Sequence, residues 1–156
     1  MAQVYQLDQI DYEILRILQK DSRVTIKEMA AQLNLSTTPI FERMRKLEKR
    51  GFIERQVAIL NASLLNMKLT AFISVSIIDH SSAALETFVQ QVIQFPEVLE
   101  CHHVTGQSDF LLKVVIEDIE KYNEFILKKI STVKNIANIE SSFSLSTRKL
   151  STELPI

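Results

Sequence analysis

Residues 36–55 hold six Lys/Arg and three Asp/Glu, and Ser36, Thr37 and Thr38 stand immediately ahead of them. Hydroxyls followed by cations at this spacing suit contact with nucleic acid. Small polar groups allow close approach to bases, and ammonium and guanidinium groups neutralise phosphates. A second candidate is Gly106-Gln107-Ser108-Asp109. There, free backbone N–H groups and one carboxylate could hold a small zwitterion by its carboxylate and its ammonium group. An ordinary hairpin turn reads the same residues equally well. A third is Cys101-His102-His103. On a strand, Cys101 and His103 share a face while His102 points the other way, so a third ligand is missing and no metal site is predicted.

The basic stretch needs a helix to present it. Three short helices are predicted in the first third of the chain. Asp8 caps the first, with Leu7 and Tyr12 at the positions of a hydrophobic staple and Ile10, Ile14, Ile17 and Leu18 on one face. Thr25-Ile26-Lys27-Glu28 reads as a capping box for the second, whose apolar face is Ile26, Met29, Ala30 and Leu33. Asn34 closes it, because asparagine tolerates a positive φ nearly as well as glycine.

Ser36 is predicted to cap the third helix, and Pro39 falls in its first turn, where a missing N–H costs nothing. Ile40, Met44 and Leu47 form a narrow inward stripe. Thr37, Thr38, Phe41, Glu42, Arg45, Lys46 and Lys49 point away from it, and Arg43 and Arg50 lie at its edge. Gly51 ends the helix, and Phe52-Ile53 opens an extended segment that begins a wing. A charged outer helix of a plain bundle is the competing reading. The short Asn34 turn, the hydroxyl-rich first turn and the distal cations favour a helix that enters the DNA major groove.

Composition sets limits. The 156 residues are 46% hydrophobic, enough for real cores, and no run nears the roughly 20 apolar residues of a membrane span. The start MAQVYQLDQ carries no basic flank and no apolar core, which predicts no signal peptide. The single Cys101 cannot form an internal disulfide, in keeping with a cytoplasmic protein. Residues 1–60 carry ten Lys/Arg against eight Asp/Glu, a net +2, and residues 61–156 carry eight against eleven, a net -3. A basic front and an acidic rear suit a nucleic-acid module joined to something else. Two glycines could not build a phosphate-binding loop or a dinucleotide fingerprint, and no Ser-His-Asp set stands out. The chain is therefore predicted not to be an enzyme.

After a connecting strand and loop over residues 56–67, the pattern changes. Strands are expected at 68–78, 98–105, 110–116 and 136–145. A helix capped by Ser81 or Ser82 carries Leu85, Phe88, Val89, Val92 and Ile93, with Pro96 beyond its end. A second, capped by Asp118, carries Ile119, Tyr122, Phe125, Ile126 and Ile130. The order βαββαβ predicts an α+β, ferredoxin-like layer of two helices on one face of an antiparallel sheet. The open face then predicts a homodimer. The expected domains are 1–55, a winged helix-turn-helix, and 68–156, a ferredoxin-like effector and assembly domain.

The chain resembles the Lrp/AsnC (leucine-responsive/asparagine-type, "feast or famine") family of transcriptional regulators. The resemblance rests on Leu7-Asp8, Asp11 and Ile14-Leu15, and then on Leu35-Ser36, Arg43, Leu47-Glu48 and Gly51-Phe52-Ile53. It continues through Glu100-Cys101-His102-His103-Val104-Thr105-Gly106 and Asp109-Phe110-Leu111-Leu112-Lys113. The stretch 100–113 is nearer the leucine-responsive branch. The resemblance implies double-stranded DNA as partner, dimers assembling to octamers, and an amino-acid effector between dimers with no other cofactor. The implied DNA-contacting set is Ser36, Thr37, Thr38, Pro39, Glu42, Arg43, Arg45, Lys46, Lys49 and Arg50. The implied effector set is His103, Thr105, Gly106, Gln107, Ser108 and Asp109. Two departures stand out: Asn34 replaces the family's usual glycine, and Gln107-Ser108 replaces acidic or aromatic residues. Two alternatives stay open: a sirohaem decarboxylase-like enzyme on the same scaffold, and an architectural DNA-binding protein that ignores ligands.

Overall fold

A carboxylate at a helix start satisfies N–H groups that have no partner inside the helix. Asp8 does this for helix α1 (Gln9–Lys20), and the side chain of Asp11 returns the bond to the Asp8 N–H, completing a capping box. The computed structural model describes residues 5–156. It divides into two units, Met1–Ile59 with Lys149–Ile156, and Leu60–Arg148.

In the first unit, α1 is followed by α2 (Ile26–Gln32) and α3 (Thr37–Lys49). The Thr25–Glu28 capping box is present. Asn34 turns the chain with φ of 54°, and the Leu35 N–H reaches back to the Ala30 carbonyl at 2.9 Å. The core is Ile14, Met29, Ala30, Ile40 and Leu47, with Leu7, Ile10, Ile17, Leu18 and Met44 packed partly against it. Tyr12, the other member of the expected staple, is exposed. Gly51 (φ 78°) stops α3, its N–H donating to the Glu48 carbonyl at 3.0 Å, and the Phe52 N–H donates to the Leu47 carbonyl at 3.0 Å.

Three expectations are corrected here. Residues 51–61 form no strand, so the expected wing has no ladder among the described residues. The connection over 56–67 contains a 3-10 turn, Ala62–Leu65, capped by Asn61, in place of the expected strand. Residues 149–156, expected in the second domain, pack with the first unit. The Arg16 guanidinium donates to the Ile156 main-chain oxygen at 2.7 Å, and the Leu154 N–H donates to the Gln19 side chain at 2.6 Å.

The second unit has the expected order, β1 (Leu69–Ile77), α4 (Ser82–Val92), β2 (Val98–His103), β3 (Phe110–Ile116), α5 (Ile119–Lys128) and β4 (Ile136–Phe143). The sheet order is β2-β3-β1-β4, all antiparallel. β3 is central, as its nearly continuous apolar run implies. Ala71, Ile73, Val75, Phe110, Leu112 and Val114 are buried against Phe88, Val92, Tyr122 and Phe125 of the two helices. Phe88 and Phe110 meet at 4.7 Å between ring centroids. Ser81 proves to be the α4 cap. Two residues assigned to inward helix faces are exposed: Ile93 follows the end of α4, and Ile119 opens α5 before its buried face begins. β2 and β4 each end two residues early.

At Asn34, replacement by glycine should leave the melting midpoint unchanged or raised. Replacement by valine should lower stability by about 1–3 kcal/mol, because a β-branched residue is strained at positive φ. Thermal and urea unfolding check both.

Candidate nucleic-acid interface and effector loop

Helix α3 is held on one side only. Ile40 and Leu47 are fully buried and Met44 half-buried. Each buried aliphatic side chain stabilises by roughly 1.5–3 kcal/mol, so the stripe is enough to seat the helix. Ser36, Thr37, Thr38, Pro39, Phe41, Glu42, Arg45, Lys46, Lys49 and Arg50 are exposed. The Ser36 hydroxyl makes no cap bond, contrary to expectation, although Ser36 occupies the cap position. That leaves an uncommitted hydroxyl and free N–H groups at the positive end of the helix dipole, an arrangement suited to a phosphate.

Among the described residues, Arg45, Lys46, Lys49 and Arg50 enter no ion pair. Together with Tyr5, Gln6, Asp8, Pro39, Glu42 and Arg43, the first three of them line an open groove of about 750 Å³. The Tyr5 ring lies 4.0 Å from Lys46 Nζ and 5.6 Å from Arg50 Cζ. No local pattern singles out Tyr5, because its neighbours in space, Lys46 and Arg50, come from the far end of α3.

Arg43 differs from the other cations. Its Nη1 donates to Asp8 Oδ2 at 2.6 Å and to Asp11 Oδ1 at 2.7 Å, and its side chain is 31% exposed. Asp11 is fully buried, the only such charged residue among those described. Its Oδ2 also accepts from the Tyr5 hydroxyl at 2.6 Å and the Asp8 N–H at 3.2 Å. The bonded Asp11 N–H, and then Arg43, hold the Asp8 carboxyl below its ordinary range.

In the second unit, the residues singled out around Gly106 do come together at one end of the sheet. Gly106 has φ of 123°, a conformation that side chains rarely adopt. His103, Thr105, Gly106 and Gln107 are exposed, and Ser108 and Asp109 are half-buried. Asp109 is already engaged, however. Its Oδ2 accepts the Ile77 N–H at 2.8 Å, and its Oδ1 lies 3.0 Å from His80 Nε2. The Ile77 N–H first, and His80 next, lower its pKa. His80 looks like a plain loop residue in the sequence, and its role was missed. His80 and Asp109 stand 29 positions apart, and no local pattern links the two.

The histidines of the third candidate do not converge. His102 pairs with Glu100 at 3.2 Å, and His103 stacks on Phe110 at 4.8 Å. Burial pushes the Cys101 thiol up, away from the thiolate that a metal requires. No group of three or more His, Cys, Asp or Glu among the described residues is placed to hold a metal ion. Among the described residues no helix is long and apolar enough to cross a membrane.

Comparison with known proteins decides the family. Residues 70–154 match the model described as Lrp/AsnC ligand binding domain, and residues 7–54 match one described as winged helix-turn-helix DNA-binding. The chain belongs to the Lrp/AsnC family. It is 35% identical to the DNA-binding transcriptional activator DecR of Escherichia coli K12, covering 96% of this chain and 99% of DecR. It is 36% identical to the leucine-responsive regulatory protein of Rhizobium meliloti, covering 90% of each. An AsnC family transcriptional regulator from Agrobacterium tumefaciens superposes with a TM-score of 0.91 at 40% identity, covering 96% of this chain and 97% of that one. A transcriptional regulator of Neisseria meningitidis, solved as a complex with L-Met, gives 0.91 at 35% identity over the same shares. The Lrp/AsnC assignment covers both sites described above, the exposed face of α3 in one matched segment and the 103–109 loop in the other.

Because its folded pKa is lowered, the Asp109 carboxylate contributes stability above the ordinary carboxylate range, and this is lost as pH falls through the depressed value. Asp109→Asn should be less stable than the native chain at neutral pH, and the difference should shrink below about pH 4. Urea unfolding of both chains across that range measures it.

Proposed function

We propose that this Lrp/AsnC chain regulates transcription by binding duplex DNA as a homodimer through α3, and that an amino acid bound at the 103–109 loop shifts its assembly and its operator affinity. The observation that carries the DNA half is the exposed, unpaired cationic face of α3 behind a hydroxyl-lined first turn. On this reading Thr37, Thr38 and Pro39 abut the groove, Glu42 and Lys46 reach base edges or phosphates, and Arg45, Lys49 and Arg50 meet phosphates.

A dimer is supported by the helix-free face of the sheet, where Phe72 is exposed beside half-buried Leu111 and Val115. Covering that apolar surface with a second copy would present two α3 helices, reading half-sites about one turn of DNA, or a multiple, apart. Octamers would multiply weak contacts along bent or wrapped DNA.

The effector half rests on the Gly106 loop and the Asp109 carboxylate, and the L-Met complex of the Neisseria relative supports an amino acid as the ligand class. With Asp109 bonded to Ile77 and His80, an incoming ammonium group has to share or displace the imidazole. The scattered histidines do not favour a porphyrin enzyme.

Arg45→Ala and Lys49→Ala should each lower the slope of log affinity against log salt by about 0.9 for a duplex probe. An unchanged slope removes that residue from the interface. A thermal-shift screen of free amino acids, run beside mass measurement in solution, should find one that raises the melting midpoint and changes the assembly size. If none acts, the ligand-blind architectural reading replaces the sensor.

A further inference from the structure

We infer that Arg43 is a positioning residue: its guanidinium fixes the pose of α3 by bridging to the buried Asp11 carboxylate, and this bridge, not a phosphate contact, is its contribution to DNA binding. This rests on the proposed DNA-binding role of α3 and refines which cations perform it.

Three observations carry the inference. First, Arg43 completes an i, i+3, i+4, i+7 set with Ile40, Met44 and Leu47, so it leaves α3 on the packed side, although its side chain, 31% exposed, also borders the open groove. Asp11 stands in the same relation to Ile14 and Leu18 on α1. Two opposite charges occupy core-facing positions of two helices, and each answers the other. Second, one nitrogen, Nη1, serves both Asp8 and Asp11, at 2.6 and 2.7 Å. A phosphate could recruit that nitrogen only by stripping a partner from a fully buried carboxylate, which leaves Nε and Nη2, unbonded among the described residues, as the sole donors a phosphate could reach. Third, the same carboxylate holds the Tyr5 hydroxyl, and the Tyr5 ring lies against Lys46. The network therefore ends on a cation that does face outward. Asp11 ties the start of α1, the segment before it and the middle of α3 into one unit, so α3 meets DNA at a fixed tilt.

The two possible roles of Arg43 predict opposite signs for one substitution. Asp11→Asn removes a negative charge and no cation. If Arg43 contacted phosphate, freeing it would tighten DNA binding and steepen the salt dependence. If Arg43 positions α3, the same change loosens the helix, and binding weakens while the salt slope stays put. We would measure fluorescence-anisotropy affinity of the full chain for a mixed-sequence duplex across a salt series, far below each variant's melting midpoint. A residue that matters only for stability leaves affinity unchanged there.

The expected result is an affinity loss of roughly tenfold for Asp11→Asn, the scale of a broken contact network, with the native slope retained. Tighter binding, or unchanged affinity despite a lower midpoint, overturns the inference. Should Asp11→Asn fail to fold, Arg43→Gln and Arg43→Lys decide. Arg43→Gln should weaken binding at constant slope, and Arg43→Lys should restore it in part, because an ammonium group one bond short of the Nη1 position keeps the charge that pairs with both carboxylates. A slope lowered by about one unit in Arg43→Gln would mark a lost phosphate contact and overturn the assignment. A native chain that ignores the duplex removes the DNA-binding reading itself. Native binding combined with any of the contrary variant results removes only this one.

Discussion

A helix that is to meet DNA can be fastened only from behind. α3 has one face for its own unit, and that face is narrow: Ile40, Met44 and Leu47, with Arg43 among them. Apolar burial is non-directional, so three aliphatic side chains hold the helix close without setting its tilt or its register along α1. The Asp11–Arg43 bridge is directional, with the Asp11 carboxylate fully buried and the Arg43 side chain 31% exposed. Removing one partner of a fully buried pair costs about 3–5 kcal/mol and of this half-buried one less, comparable with the burial of one of the aliphatic residues. Among the described residues the outward cations are then left with no ion-pair partner, as a surface must be if it is to neutralise phosphates.

The local features of this fold were legible in the sequence, because each has a local cause. Asp8, Thr25, Ser81 and Asp118 cap helices through bonds three residues away, and the order of polar and apolar residues shows it. Asn34 and Gly51 mark positive φ, and β3 appears at its predicted limits. Some missed features are local, the absent Ser36 cap bond and the 3-10 turn at Ala62–Leu65 among them, and the rest join residues far apart. Arg43 and Asp11 are 32 residues apart and Asp109 and His80 are 29 apart, while the 149–156 segment bonds to α1 across 135 to 140. Periodicity states which way a side chain faces and does not name what it will meet. The sign of Arg43's orientation was available in its i+3 spacing from Ile40, but a long basic side chain at a stripe's edge can also reach outward.

The 103–109 loop follows the same logic. Gly106 and Asp109 were marked by residue type, whereas the second occupant of the carboxylate, His80, is supplied by the turn between β1 and α4. A ligand that competes for Asp109 would also act on the Ile77 N–H at the end of a central strand. Binding there would be coupled to the sheet whose helix-free face is proposed as the dimer interface. Leu60–Arg148 is joined covalently to the DNA-binding unit at both ends, since Lys149–Ile156 returns to α1. Differential affinity of a ligand for two assembly states is all that control of operator binding requires.

Photo-crosslinking from the start of α3 tests the central claim most directly. A p-benzoylphenylalanine in place of Thr38, irradiated with a mixed-sequence duplex at low salt, should yield a covalent protein–DNA adduct that fades as salt is raised. A protein–duplex complex that forms normally yet gives no adduct from that position would contradict the account.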